Sequence, residues 1–432
     1  MDTNIGLQTN EVVKKVTTKR KKVIFLIALV VGILVTSIIV YTNSQNKKLV
    51  NSYQDKVYPG AVVFDTDISG FTKSQLHNLL EDMVNEISSR NINITIGDST
   101  FKKSYLNLDT TIDFDAFENE IMNFGKDKGF KEKLSLIKNP ESRNYEVKIV
   151  YNEGKISEFL DTMAEQVKVE PANASISISG GAITVAEGQA GYELDKEDLF
   201  TNIKNALEDI NGEELVSIEG NLKEVEPEIT TSALQTVDTK ISSYTTYFNP
   251  GPSGTNIQRG ATMIGNVLLM PGDSFSAVEA IGPTTAENGF VAANTYLNGK
   301  VVPGYGGGVC QISSTIYNAE LRAGIVPDFR LYHEMTVAYV PQGLDATIGD
   351  EWPDLVFTNP YEYPIVVNVY ADGGSVTAEF WSNSQATDGI TYEPKSYQTG
   401  SLSADTYLYG YNSSGECISE EYIDSSVYKP FS

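Results

Sequence analysis

The sequence predicts an α+β protein: an N-terminal transmembrane helix, two repeated small α+β modules, a larger mixed α+β domain and a β-rich C-terminal region. Three observations predict it. A run of nineteen residues without a charge, Val23 to Tyr41, lies near the N-terminus. A pattern of strand alternation followed by helical spacing occurs twice, about 80 residues apart. Further on, a glycine-rich loop opens a helical segment that is followed by alternating runs around turn residues.

The apolar run is rich in Ile, Val and Leu and is long enough to span a bilayer core as a helix. Lys14, Lys15, Lys19, Arg20, Lys21 and Lys22 precede it. By the positive-inside rule, residues 1–22 form a cytoplasmic basic tail, residues 23–41 cross the membrane, and the bulk of the chain is extracytoplasmic. Thr42-Asn43-Ser44-Gln45 offers no small-residue cleavage site, so the span reads as an uncleaved signal anchor. The charge divides at the same place. Residues 1–48 hold eight Lys/Arg and two acids, a net of +6, and the chain totals −25, which leaves −31 for residues 49–432. A field of that sign repels nucleic acid and other polyanions. It excludes charge-driven nucleic-acid binding, and it keeps the exported part soluble.

The first repeat unit, residues 55–140, begins with a helical run from Lys73 to Ser88. It continues through Asn91-Ile92-Asn93-Ile94-Thr95-Ile96-Gly97 and ends in a helix carrying Phe114, Phe117, Ile121 and Phe124. The second, residues 145–228, has a helical run from Glu153 to Gln166. It continues through Ala174-Ser175-Ile176-Ser177-Ile178-Ser179-Gly180 and ends in a helix carrying Leu199, Ile203, Leu207 and Ile210. Period two, a Gly/Asp turn and then period 3.6 recur in the same order. The acidic, proline-containing stretch Glu224 to Thr231 has no apolar periodicity and reads as a boundary. A larger domain is expected over 240–370 and a β-rich region over 371–432. Asp372-Gly373-Gly374 and Asn412-Ser413-Ser414-Gly415 mark hairpin turns.

The chemistry concentrates in Gly306-Gly307-Gly308-Val309-Cys310-Gln311-Ile312-Ser313-Ser314. Glycines permit a sharp turn, and a helix begun after them leaves unpaired N–H groups near its first residues. A thiol at that position has its pKa lowered and gains nucleophilicity. The competing reading is a tight loop feeding a packed helix, with Cys310 as a small apolar residue and Ile312, Ile316, Ala319 and Ala323 as its buried stripe. His77 and His333 are the two histidines; His77 stands among Leu76, Leu79 and Leu80 and reads as an ordinary helix residue. His333 follows Cys310 in the same motif-dense region, and Asp345 lies beyond it. If the fold joins them, they form a nucleophile, base and orienting acid. No His-x-x-x-His or Cys-x-x-Cys pair suggests zinc, and the loop lacks the Lys-Ser/Thr of a P-loop, so neither a metal nor a cofactor is expected.

The Gly306–Ser314 segment with Tyr317-Asn318-Ala319 resembles the signature of the VanW family. So do Tyr247-Phe248-Asn249, Arg259-Gly260-Ala261, Leu269 to Ser276 and Gly289-Phe290-Val291-Ala292-Ala293 upstream. His333, Tyr339 to Ala346 and Asp354 to Asn359 match downstream. His333-Glu334 stands where members often carry His-Ser, so a role for that serine does not transfer. The two repeats resemble the peptidoglycan-binding modules found ahead of VanW-like domains. The resemblance implies a membrane-anchored, extracytoplasmic, cell-wall-associated protein that binds peptidoglycan or organises envelope components. The alternative is a cysteine-dependent amidase or transpeptidase acting on cell-wall peptides. Exported enzymes of the NlpC/P60 type likewise place a cysteine at a helix start with a histidine further on, but their Asp-Cys-Ser-Gly signature is absent. Candidate catalytic residues are Cys310, His333 and Asp345. Candidate binding residues are Gly306, Gly307, Gly308, Gln311, Ser313 and Tyr317. A disulfide between Cys310 and Cys417 is open from sequence, since the compartment permits it and no distance is readable.

Overall fold

The computed structural model describes residues 5–297 and 300–430. The chain divides into two compact units, Met1–Lys168 with Glu193–Lys223, and Val169–Tyr192 with Glu224–Ser432.

In the first unit a single helix runs from Ile5 to Ser52. Its portion from Val16 to Ser52 is long and apolar enough to cross a membrane, and none of that apolar window is covered by protein. Phe25, Ile27 and Leu34 are each more than half exposed, a cost in water that a bilayer removes. The helix Lys73–Ser89 starts at a reciprocal capping box, in which Thr72 Oγ1 accepts from Gln75 N–H and Gln75 Oε1 accepts from Thr72 N–H. The alternating run Asn91–Ile96 forms a strand, which pairs as a hairpin with Ser99–Ser104, and Leu215–Glu219 adds in parallel on its other side.

The helices of the second repeat, Glu153–Val167 and Lys196–Glu208, form where the sequence puts them. They do not close a core of their own. Ile156, Leu160 and Met163 from one, and Leu199, Ile203 and Leu207 from the other, pack with Ile92, Ile94 and Ile96 of the first repeat. The repeats therefore interleave. A helix pair over a two-stranded hairpin buries too little surface to stand alone, and sharing one sheet supplies the missing apolar area. The hairpin Ser175–Ser179 with Ala182–Ala186, patterned as part of the second repeat, belongs to the other unit. There Ile178 packs with Val237, Val366 and Trp381.

The second unit is built on a four-stranded antiparallel sheet in the order Thr239–Tyr247, Ser375–Ser382, Ile365–Asp372, Asn266–Leu269. Helices Pro252–Ile264 and Cys310–Arg322 lie against it, and Ile257, Ala261, Ile312, Ile316, Val367 and Phe380 share one core. The hairpin turning at Asp372-Gly373-Gly374 forms as its turn residues require. Its second strand is an inner strand of the sheet, with Val376, Ala378 and Phe380 fully buried. Beyond it, Thr391–Gly400, Ser403–Tyr411 and Cys417–Val427 make an antiparallel meander, which gives the C-terminal region its β-rich character.

Candidate active site

Cys310 is the first residue of the Cys310–Arg322 helix, and the glycines before it set its position. Gly308 has φ +109°, and a Cβ there would lie 2.9 Å from the Ser253 carbonyl oxygen. A Cβ on Gly307 would lie 2.5 Å from the Asn294 carbonyl oxygen. The loop is thus pressed between two backbones that only glycine admits. Asn256 fastens it: its amide donates to the Gly307 and Val291 carbonyls and its oxygen accepts from the Val291 N–H. Gly308→Ala is expected to lower stability by about 1–3 kcal/mol through strain alone, measured as a shift in urea midpoint at constant m-value.

The helix is buried on every side from Gln311 to Leu321, not along one apolar stripe. Its polar residues are pins. Gln311 Nε2 donates to Thr246 Oγ1 and the Tyr247 carbonyl at 2.9 and 3.0 Å. Ser313 and Ser314 hydroxyls donate to the Ala346 carbonyl, Ser314 accepts from the Ala346 N–H, and Asn318 Nδ2 donates to the Leu344 carbonyl. One face of the motif helix therefore grips the segment that carries Asp345. That segment brings Thr347 Oγ1 to 3.7 Å and the Ile348 carbonyl to 3.4 Å from Cys310 Sγ.

His333 is 8% exposed and is held from two directions. Asp345 Oδ2 lies 2.7 Å from its Nδ1 and accepts its backbone N–H at 2.7 Å. Its imidazole acts on Cys310, lowering the thiol's pKa while its own is raised, and because Nδ1 is taken, Nε2 is the nitrogen left free. Asp345 is fully buried, and its other oxygen, Oδ1, accepts from the Tyr428 hydroxyl and, at 3.3 Å, from Arg330 Nη2. Arg330 in turn donates to the Asp345 and Gly343 carbonyls, Asp424 Oδ2 and Ser426 Oγ. Histidine and aspartate are thus joined by hydrogen bonds, with a buried arginine behind them and Cys310 lining the same cleft as His333.

The electrostatics follow. Burial pushes the Cys310 thiol up, but the His333 imidazole, with Ile348 and Thr347, more than offsets this and holds it below its ordinary value. Burial pulls His333 down, and Asp345 and Cys310 outweigh it, raising the imidazole to about 9. For Asp345, burial acts upward, while His333 and Arg330 keep the carboxyl below the usual carboxylate range. A lowered thiol pKa together with a raised imidazole pKa moves the two residues toward thiolate and imidazolium, the state in which a cysteine attacks. The Cys310 N–H has no hydrogen-bond acceptor among the described residues, whereas those of Val309, Gln311 and Ile312 are bonded to loop carbonyls. A free N–H beside the sulfur is suited to a developing oxyanion.

Cys310 and His333 open into a cleft of about 1010 Å³, walled by Tyr247, Phe248, Tyr305 and Tyr339. Gly306, Gly307, Gly308 and Gln311 line it as well; Ser313, Tyr317 and Asp345 do not. The Tyr317 hydroxyl is buried without a partner and its ring faces the Arg330 guanidinium. Cys310 and Cys417 are free thiols. Among the described residues no group of three or more His, Cys, Asp or Glu is placed to hold a metal. Sequence reasoning missed Asn256, Arg330, Asn318 and Tyr428. Asn318 stands inside the motif and could have been found there; Tyr428, 83 residues past Asp345, carried no local signal.

Comparison with known proteins agrees with this layout. The model of the VanW like protein family matches residues 253–381, and that of the family described as "Putative peptidoglycan binding domain" matches 100–215. The uncharacterized protein YoaR of Bacillus subtilis (strain 168) is 30% identical over 244 residues, which span 56% of this chain and 78% of that protein. The chain belongs to the VanW family. A second relative, the vancomycin B-type resistance protein VanW of Enterococcus faecalis (strain ATCC 700802 / V583), is 24% identical over 135 residues, 30% of this chain and 49% of that protein. No solved structure matches. In this VanW family member the matched span holds Cys310, His333 and Asp345, while Tyr428 and Asp424 lie outside it. VanW family membership, together with the peptidoglycan-binding match, supports a cell-wall-associated role.

Proposed function

We propose that this VanW family protein is a membrane-anchored, cell-wall-associated thiol enzyme, an amidase or transpeptidase that acts on wall peptides through Cys310. The observation that carries the reading is the buried, hydrogen-bonded His333–Asp345 pair that lowers the pKa of Cys310, with Cys310 and His333 lining one cleft wide enough for a peptide. The Cys310 thiolate attacks the scissile carbonyl carbon and forms the C–S bond, and the oxygen takes the negative charge beside the Cys310 N–H. His333 gives its proton to the leaving amine as the C–N bond breaks, which leaves a thioester on Cys310. Water or a second amine then attacks the thioester, with His333 accepting the proton, and the thiol is released. Asp345 holds the imidazole in the tautomer this needs. Residues 100–215 supply wall affinity, and the helix over residues 23–41, with the basic cluster before it, holds the chain at the membrane with the site outside.

The test is to incubate the full-length protein in detergent with purified peptidoglycan sacculi and follow new amino groups and soluble peptides. Activity is expected to rise as Cys310 ionises and to fall above about pH 9 as His333 loses its proton. Cys310→Ala is expected to reduce release by at least about 10³-fold. Release that survives Cys310→Ala rejects the thiol mechanism. Sedimentation with sacculi but no release leaves wall binding as the function.

A further inference from the structure

The cleft beside Cys310 has a charge bias. Among the described residues that line it there is no lysine or arginine. Apart from the Cys310–His333 pair, which is neutral as a thiolate–imidazolium, its one acidic side chain is Asp350. Asp350 stands two residues beyond Ile348, whose carbonyl lies 3.4 Å from Cys310 Sγ. Two residues of extended chain reach at most about 7 Å, so the Asp350 backbone stands within about 10 Å of the sulfur, on the same cleft. It is fixed there. Asp350 Oδ1 accepts from Thr284 Oγ1 at 2.9 Å, and Thr284 is seated against Gly306, where a Cβ would approach to 2.6 Å. Its second oxygen has no hydrogen-bond partner among the described residues, and the side chain is exposed at the cleft.

A fixed carboxylate with an unused oxygen, in a cleft free of cations, attracts a cation and repels an anion. Tyr247, Tyr305 and Tyr339 line the same cleft, and aromatic rings favour an ammonium group. We propose that Asp350 is a specificity-determining residue, and that the cleft takes a peptide presenting a primary ammonium group close to the bond attacked, rather than one presenting a carboxylate. The inference rests on the thiol-enzyme reading and adds its substrate class. The ammonium has two sources, a free amino terminus or an amino-bearing side chain.

The experiment uses the full chain with Cys417→Ser, so that Cys310 is the one thiol. Rates of Cys310 modification are measured with three methanethiosulfonates: the neutral methyl reagent, the cationic trimethylammonioethyl reagent and the anionic sulfonatoethyl reagent. The neutral rate near pH 7 reports whether Cys310 is an activated thiol, and a slow reaction there sinks the enzyme reading by itself. The cation-to-anion ratio, normalised to the neutral rate of the same variant, reports the charge of the cleft. At 1 M salt, where the distant acidic surface is screened, Asp350→Asn is expected to cut this ratio roughly tenfold. Glu351→Gln, on an exposed neighbour that does not line the cleft, is expected to leave it unchanged. A ratio that Asp350→Asn does not alter, or that Glu351→Gln lowers equally, overturns the proposal. Protection of Cys310 from the neutral reagent then assigns the source. Nα-acetyl-lysine amide protects if a side-chain ammonium is bound, and alanyl-alanine amide protects if an amino terminus is bound. Failure of both overturns the proposal.

Discussion

Asp345→Asn is expected to destabilise the protein by about 3–5 kcal/mol, because it leaves the Arg330 guanidinium buried without its compensating charge. Arg330 has a side chain only 2% exposed, and Asp424, its other carboxylate, is itself 42% exposed. The same change removes the first of the two groups that raise His333, leaving only Cys310 to do so. In the wild type the folded imidazole titrates near 9, against about 6.5 when unfolded. A raised folded-state value means that the stabilisation is complete below about pH 6.5 and is lost as pH climbs to about 9. The variant is expected to flatten that slope. Alkylation of Cys310 is expected to need higher pH, since a neutral imidazole no longer favours the thiolate. Urea midpoints at pH 6, 7.5 and 9, with alkylation rates at the same pH values, test both effects. An unchanged midpoint and an unchanged rate profile would show that the aspartate holds neither the arginine nor the histidine.

Glu320 gives the opposite sign. It is fully buried on the Cys310–Arg322 helix, and neither carboxyl oxygen has a hydrogen-bond partner among the described residues. Burial, with Asp328 adding to it, pushes its pKa well above 4.5. The folded protein therefore keeps a proton that the unfolded chain releases above about pH 4.5, and stability falls as pH rises from there to the folded-state pKa. The slope is about 1.4 kcal/mol per pH unit for one proton. Glu320→Gln keeps the shape and removes the titration, so its advantage over the wild type is expected to grow with pH at that slope. Any fixed cost of burying an unpaired amide appears as the offset near pH 4.5. Parallel curves for the two proteins between pH 5 and 8 would mean that Glu320 is ionised and solvated in the folded state.

How much of this was legible in the sequence depended on the range of each interaction. The apolar helix, the capped helix at Lys73, the alternating strands and the hairpin at Asp372-Gly373-Gly374 are set by contacts a few residues apart, and each is found where its pattern lies. The start of the motif helix at Cys310 was legible for the same reason. The pairing of Leu215–Glu219 with Asn91–Ile96 was not, because a parallel partner more than a hundred residues away leaves no local trace. Within the site, Cys310 and His333 stood out because cysteine and histidine are scarce in the chain. Ser313 and Tyr317 were marked by the motif, yet they are buried within the helix packing and do not line the cleft. A motif records every residue the fold requires, and here most of them hold the Asp345 segment in place. Arg330 and Tyr428 were invisible for the complementary reason: they act on the site from loops and strands that carry no motif.

The C-terminal meander, outside the span that matches the family, completes the support of this site. Tyr428 donates to Asp345 and accepts the Gly343 N–H at 2.6 Å, and Asp424 and Ser426 hold Arg330. In a chain synthesised from its N-terminus, those strands emerge well after the helix that carries the thiol. Until they dock, Asp345 lacks the Tyr428 hydroxyl and Arg330 lacks two of its acceptors. The support of the Asp345 segment is therefore expected to be complete only when residues 417–428 are in place.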